Sequence, residues 1–150
     1  MKRILFVCHG NICRSPMAEY IMKDLVTKAG RDADFYIESA ATSTEEIGNP
    51  VYPPARRKLA ENGIRCDGHA ARQITRRDYD RFDLIVCMDQ MNLRWISRII
   101  PSDPKDKIHL LLDFTDRTPG TEVADPWYTG NFDATWRDCV EGCEAILKAY

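Results

Sequence analysis

The 150 residues read as one α/β domain, a four-stranded parallel sheet in the order 2-1-3-4 with helices on both faces. Three observations predict this architecture. Short apolar runs, suited to strands buried on both sides, alternate with segments of helical spacing. The stretches between runs are long enough for right-handed crossovers, which place the first strand centrally. The length suits a single core over residues 1–150, and no repeat, low-complexity tract or linker divides it.

The first strand is the apolar run at residues 4–7. Helical spacing follows over residues 14–28, with Met17, Ile21, Met22 and Leu25 on one face, and stops near Gly30. Residues 35–37 form a second, shorter strand. A helix then starts on Pro54, a first-turn position, and ends at Gly63. Residues 84–88 form the third strand. The helix after it begins near Asp89, turns Leu93 and Ile96 inward, and must end before Pro101. The fourth strand covers residues 108–112. A last helix spans about 133–149, with Trp136, Val140, Cys143 and Leu147 on one stripe and Cys139 and Cys143 facing the core.

Between the first strand and first helix lies Cys8-His9-Gly10-Asn11-Ile12-Cys13-Arg14-Ser15. In open parallel sheets such a turn sits at the carboxyl end of a central strand, where ligands bind. Its backbone N–H groups, with a helix N-terminus behind them, converge on one point and favour negative charge there. A tetrahedral phosphate fits that cradle, and the Arg14 fork grips two oxygens at once. The same positive field favours a Cys8 thiolate, and a thiolate facing a bound phosphate implies attack on phosphorus. A buried strand-end cysteine would explain Cys8 alone, but not Gly10, Asn11, Arg14 and Ser15 at their offsets.

Composition narrows the partners. A net charge of −2 argues against nucleic acid. Arg72, Arg76, Arg77 and Arg81 are interspersed with Asp78, Asp80 and Asp83 and read as a solvated mixed-charge face. No run approaches membrane-spanning length, so no membrane partner is expected. The apolar run after Met1-Lys2-Arg3 is too short for an export signal. Six cysteines without such a signal read as buried or catalytic thiols of a cytoplasmic protein. His9, His69 and His109 share no ligand spacing, and neither a metal nor a cofactor is expected.

The segment Val7 to Pro16 strongly resembles the signature loop of the low-molecular-weight protein tyrosine phosphatases. Ser39-Ala40-Ala41-Thr42-Ser43, His69-Ala70-Ala71-Arg72-Gln73, Cys87-Met88-Asp89 and Asp125-Pro126-Trp127-Tyr128 resemble further family segments in the family order. The resemblance therefore covers essentially the whole chain. It implies hydrolysis of phosphotyrosine monoesters in proteins, with inorganic phosphate and other oxyanions as inhibitors. By resemblance, Cys8 is the nucleophile, Arg14 binds phosphate, and Ser15 donates a hydrogen bond to the thiolate. The loop residues His9 to Ser15 surround the phosphate. Asp125, by itself a turn aspartate before Pro126, is by resemblance the general acid and then the base. Asn11, Ser39 and His69 hold the loop by hydrogen bonds, and Cys13 protects Cys8 through a reversible disulfide. Trp127 and Tyr128 form one wall of the cleft. Glu45 stands on the opposite wall where many members carry an aromatic residue, which predicts weaker tolerance for acidic peptide flanks. By the same resemblance, phosphoarginine-selective relatives tend to carry threonine where this chain has Ile12.

Three other readings share parts of this pattern. An arsenate reductase on the same scaffold would need a relay of further cysteines, and Cys66 and Cys87 are the only candidates. A phosphocysteine carrier of the sugar-transport type would not need a leaving-group acid. A non-catalytic phosphate-binding module would need neither Cys8 nor Asp125.

Overall fold

The computed structural model describes all 150 residues. Four parallel strands, β1 (Lys2–Cys8), β2 (Phe35–Ala41), β3 (Leu84–Cys87) and β4 (Ile108–Leu110), form one sheet ordered β2-β1-β3-β4. Six helices surround it: α1 (Arg14–Lys28), α2 (Pro53–Glu61), α3 (Arg76–Arg81), α4 (Gln90–Ile99), α5 (Pro126–Thr129) and α6 (Phe132–Ala149). The central strand β1 alternates between two cores. Ile4, Phe6 and Cys8 pack with α1, α2 and α6, while Leu5 and Val7 pack with Tyr79, Phe82 and Ile96 of the α3–α4 side. This is the expected α/β architecture, with helices on both faces.

The boundaries differ from the sequence expectation where side-chain pattern and backbone pairing part company. β1 begins at Lys2, because even its polar first residues pair with Phe35 and Tyr36 of β2. The run 108–112 pairs only as far as Leu110, and Leu111–Phe114 then winds into a 3-10 turn. Leu111 and Leu112 are buried all the same, so apolar content misread their conformation as strand. Helix α3 was not expected, being short and mostly charged. A capping box between Thr75 and Asp78 starts it.

Asp78 also corrects the mixed-charge face. Its carboxylate is fully buried and accepts from both terminal nitrogens of Arg72, at 3.0 and 3.1 Å. Arg72 further pairs with Glu38 at 3.2 Å, which ties α3 to β2, while Arg76, Arg77 and Arg81 remain exposed. The stripe on α6 is rotated as well. Thr135, Cys139, Gly142, Cys143 and Ile146 are buried, and Trp136, Val140 and Leu147 only flank them. The cause is Gly142, where a Cβ would lie 2.4 Å from Leu111 Cγ. The bare backbone there lets α6 settle directly on the 3-10 turn.

Candidate active site

The turn from β1 into α1 builds a loop whose backbone is held from several sides. Asn11 adopts a positive φ of 59°, a conformation that asparagine accepts more readily than most residues. The His69 ring nitrogen Nε2 donates to the Asn11 carbonyl at 2.8 Å. The Asn11 side chain donates to Ser15 Oγ at 2.8 Å and Ser39 Oγ at 2.9 Å, and its own oxygen accepts the Arg72 N–H at 3.2 Å. Ser15 Oγ lies 3.0 Å from Cys8 Sγ, and the Asn11 N–H points at the same sulfur at 3.3 Å. The N–H groups of Gly10, Ile12, Cys13 and Arg14 take no protein acceptor, as expected for donors gathered at a helix N-terminus.

Above this loop is a cavity of about 210 Å³. Cys8, His9, Gly10, Ile12, Cys13 and Arg14 form its floor and lower walls, and Glu45, Glu46, Asp125, Trp127 and Tyr128 form its rim. Asn11 and Ser15 do not line it. Both are fully buried behind the loop, so their side chains brace the backbone and the sulfur rather than face a ligand.

Arg14 is the junction of the site. One terminal nitrogen donates to Asp89 Oδ2 at 2.7 Å and to the Val123 carbonyl at 2.9 Å, and the other reaches Asp125 Oδ2 at 3.5 Å. Burial works against its charge, but the Cys8 sulfur, Asp89 and Asp125 outweigh that and raise its pKa above the usual arginine value. Cys13 is the opposite case. Burial, and then the neighbouring Cys8, push its thiol up to about 12. Burial also raises Cys66, Cys87, Cys139 and Cys143, which keeps all four as thiols at neutral pH.

Asp125 is the N-cap of α5, where its Oδ1 accepts the Trp127 N–H at 3.1 Å. That short helix carries Trp127 against Tyr52, with ring centroids 4.9 Å apart, and leaves Tyr128 exposed. On the facing rim His9 Nε2 and Glu45 Oε2 are 3.0 Å apart. The mouth thus has one aromatic wall and one polar wall.

Four residues near the site were not anticipated as site residues. Asp89 anchors Arg14, Tyr52 backs Trp127, Glu46 joins the rim, and Glu19 accepts from Ser39 at 2.5 Å. Only Asp89 left a trace in the sequence, as the start of a capping box with Asn92. The segments 87–89 and 69–73 resemble family segments, but the pairings themselves are tertiary.

A parallel α/β sheet whose first turn gathers free N–H groups beside a buried cysteine and arginine defines a class, the cysteine-centred phosphate-loop proteins. Comparison with known proteins narrows it. The family model for low molecular weight phosphotyrosine protein phosphatase matches residues 3–150, and the chain belongs to that family of hydrolases. The chain is 40% identical over 149 residues to the low molecular weight protein-tyrosine-phosphatase YfkJ of Bacillus subtilis, covering 99% of this chain and 96% of that protein. The YfkJ crystal structure superposes with a TM-score of 0.95, covering 99% of this chain and 94% of the other at 39% identity. Identity to the Rattus norvegicus low molecular weight phosphotyrosine protein phosphatase is 41% over 151 residues, covering 98% and 94% of the two chains. A drosophila arginine phosphatase is also similar in structure, with a TM-score of 0.88 at 33% identity and 100% and 98% coverage.

Proposed function

We propose that this chain hydrolyses phosphotyrosine monoesters in proteins through a phosphocysteine intermediate, with no metal or cofactor taking part. The observation that carries the reading is Asp125 beside Arg14, two residues 111 positions apart in sequence that share one cavity with Cys8. The phosphate of the substrate takes the free loop N–H groups and the Arg14 fork. Cys8 Sγ attacks phosphorus, an S–P bond forms, and the ester P–O bond breaks. The Asp125 carboxyl gives its proton to the departing phenolate. Water then attacks the phosphocysteine, Asp125 takes a proton from it, and the S–P bond breaks to release inorganic phosphate. Positioning and charge supply most of the acceleration in such a transfer. Inorganic phosphate and other tetrahedral oxyanions compete for the same cradle.

The acid at Asp125 sets this reading apart from a carrier or a binding module. The arsenate reductase reading is disfavoured because Cys66 and Cys87 do not line the cavity. Phosphate release from an aryl phosphate in a chelator, compared with Cys8→Ser, tests all four. Turnover retained by Cys8→Ser would overturn the nucleophile assignment.

Two finer readings follow from the same site. Peroxide oxidises Cys8 to a sulfenic acid, and the Cys13 thiol condenses with it, releasing water and forming a disulfide. Cys13, held as a thiol, is not itself the first target. The second reading is phosphotyrosine over phosphoserine, phosphothreonine and phosphoarginine. A recessed sulfur favours a long side chain, and Ile12, Trp127 and Tyr128 suit an aromatic ring better than a guanidinium. Glu45 pulls the other way, because a rim carboxylate attracts that cation. Measured kcat/KM on matched phosphotyrosine and phosphoarginine peptides, for the natural chain and Ile12→Thr, decides it. A natural chain that prefers phosphoarginine would overturn the substrate and keep the mechanism. The cytoplasmic setting rests on cysteine usage alone.

A further inference from the structure

The hydrogen bonds behind the loop do not end at Ser39. Ser39 Oγ lies 2.5 Å from Glu19 Oε1, and Glu19 Oε2 lies 2.5 Å from Lys23 Nζ. Glu19 is on α1 and is only 6% exposed, and acidic side chains are seldom so buried without a specific partner. Lys23 is its counter-charge at the surface, set over the Tyr20 ring with its Nζ 4.9 Å from the ring centroid. The carboxylate thus stands at the head of a continuous line of polar contacts to the sulfur.

Each link in that line has a forced direction. An ionised carboxylate only accepts, so the single Ser39 proton goes to Glu19. Ser39 oxygen is then an acceptor toward Asn11, and the Asn11 amide must turn its NH₂ to the serines. Arg72 N–H on Asn11 Oδ1 at 3.2 Å fixes the same orientation from the other end. The second Asn11 N–H occupies Ser15 Oγ, which leaves one Ser15 proton to place. Cys8 Sγ at 3.0 Å is nearer than the Ala40 carbonyl at 3.5 Å, so the proton points at sulfur.

We propose that Glu19 is a positioning residue that sets the polarity of the Ser39–Asn11–Ser15 chain, so that the Ser15 hydroxyl donates to the Cys8 thiolate. This rests on Cys8 being the nucleophile. Glu19 touches neither substrate nor the reacting atoms and acts only through the three residues between. Without it, the Ser39 hydroxyl turns freely, Asn11 loses its oriented acceptor at Ser39, and Ser15 is released toward Ala40.

The sign of the effect separates this role from simple electrostatics. Removing a nearby negative charge by itself favours a thiolate, whereas loss of the directed hydrogen bond disfavours it. Alkylation of Cys8 by iodoacetamide, an uncharged reagent, is followed by peptide mapping at pH 6 and pH 9. In Glu19→Leu the pH 6 rate is expected to fall roughly 10- to 100-fold relative to the pH 9 rate, with kcat falling in step. Ser39→Ala breaks the same chain one link closer and is expected to reproduce the fall. The pair Glu19→Gln with Lys23→Met keeps an acceptor oxygen for Ser39 and is expected to recover most of the ratio. A pH 6 to pH 9 ratio that is unchanged or higher in Glu19→Leu overturns the proposal. So does an unchanged ratio in Ser39→Ala, which keeps the test decisive should Glu19→Leu fail to fold. Retained turnover in Cys8→Ser would instead remove the nucleophile reading on which it stands.

Discussion

The floor of the cavity and its rim are built on opposite principles. In the loop, Asn11 and Ser15 are fully buried, Arg14 is 2% exposed and Cys8 3%. Arg14, Asn11 and Ser15 each have partners at hydrogen-bond distance, and those of Arg14 all come from segments distant in sequence. The rim has Trp127 at 54% and Tyr128 at 84% exposure, and its contact between His9 and Glu45 faces solvent. Charges and dipoles act strongly where water is excluded and weakly where it is not. On the proposed function, the floor is suited to chemistry that needs fixed geometry. The rim is suited to recognition, which tolerates change and contributes less per residue.

The sharpest way to break this contrast is at the sulfur. Cys8→Ser is expected to abolish aryl phosphate turnover while leaving the fold intact, since the hydroxyl is similar in size but not ionised at neutral pH. Arg14→Lys is expected to fail nearly as badly, because an ammonium cannot reproduce the planar two-point grip. Steady-state rates with circular dichroism check both, and a folded Arg14→Lys with near-normal kcat would dissolve the distinction.

Asp125 lies between the two regions, with one oxygen toward Arg14 and the other on the Trp127 backbone. Asp125→Asn is expected to slow cleavage of tyrosine-like esters ~10²–10⁴-fold. The loss grows as the leaving phenol becomes more basic. A dependence on leaving-group basicity identical to that of the natural chain would mean that another group delivers the proton.

Asn11→Ala tests the floor as structure. It removes the amide donor to the Ser15 and Ser39 oxygens, leaves the Arg72 N–H without its acceptor and places alanine at a φ of 59°, at a cost of about 2–4 kcal/mol. Chemical denaturation measures this directly. A loss below about 0.5 kcal/mol, the usual range for surface changes, would show that the loop holds itself without the network.

The smallest effect is expected at Tyr128. Tyr128→Ala should leave stability within about 0.5 kcal/mol and lower kcat/KM on phosphotyrosine peptides by roughly 2- to 12-fold, the worth of an aromatic contact. Kinetics on small aryl phosphates and on peptides separate the two parts of the rim. Equal losses on both substrates would make Tyr128 part of the chemistry and remove the contrast.

Much of the site was legible because its floor is one unbroken segment. Cys8 to Ser15 follows a strand and opens a helix, and backbone geometry alone converges its N–H groups. Parallel strand order followed from alternation and crossover handedness, and the sheet has that order. Asp125 was legible through a family motif and not through spacing. Asp89 read only as the start of a helix, and no local pattern singled out Glu19 or Tyr52. Asp78 read as a solvated charge for the same reason, since a local pattern does not say which carboxylate a distant arginine will cover.

By itself, then, the sequence determined what depends on neighbours along the chain: the strands, the main helices, and the turn that gathers its N–H groups beside a thiol and a guanidinium. Tertiary structure decided what depends on approach between distant segments. It set Arg14 between Asp89 and Asp125, linked Glu19 through Ser39 to the loop, and rotated α6 so that Gly142 meets Leu111. The physical reason is range. Backbone dihedrals and hydrophobic periodicity act over a few residues, whereas a hydrogen bond across some hundred positions exists only after the sheet has brought its two ends within about 3 Å.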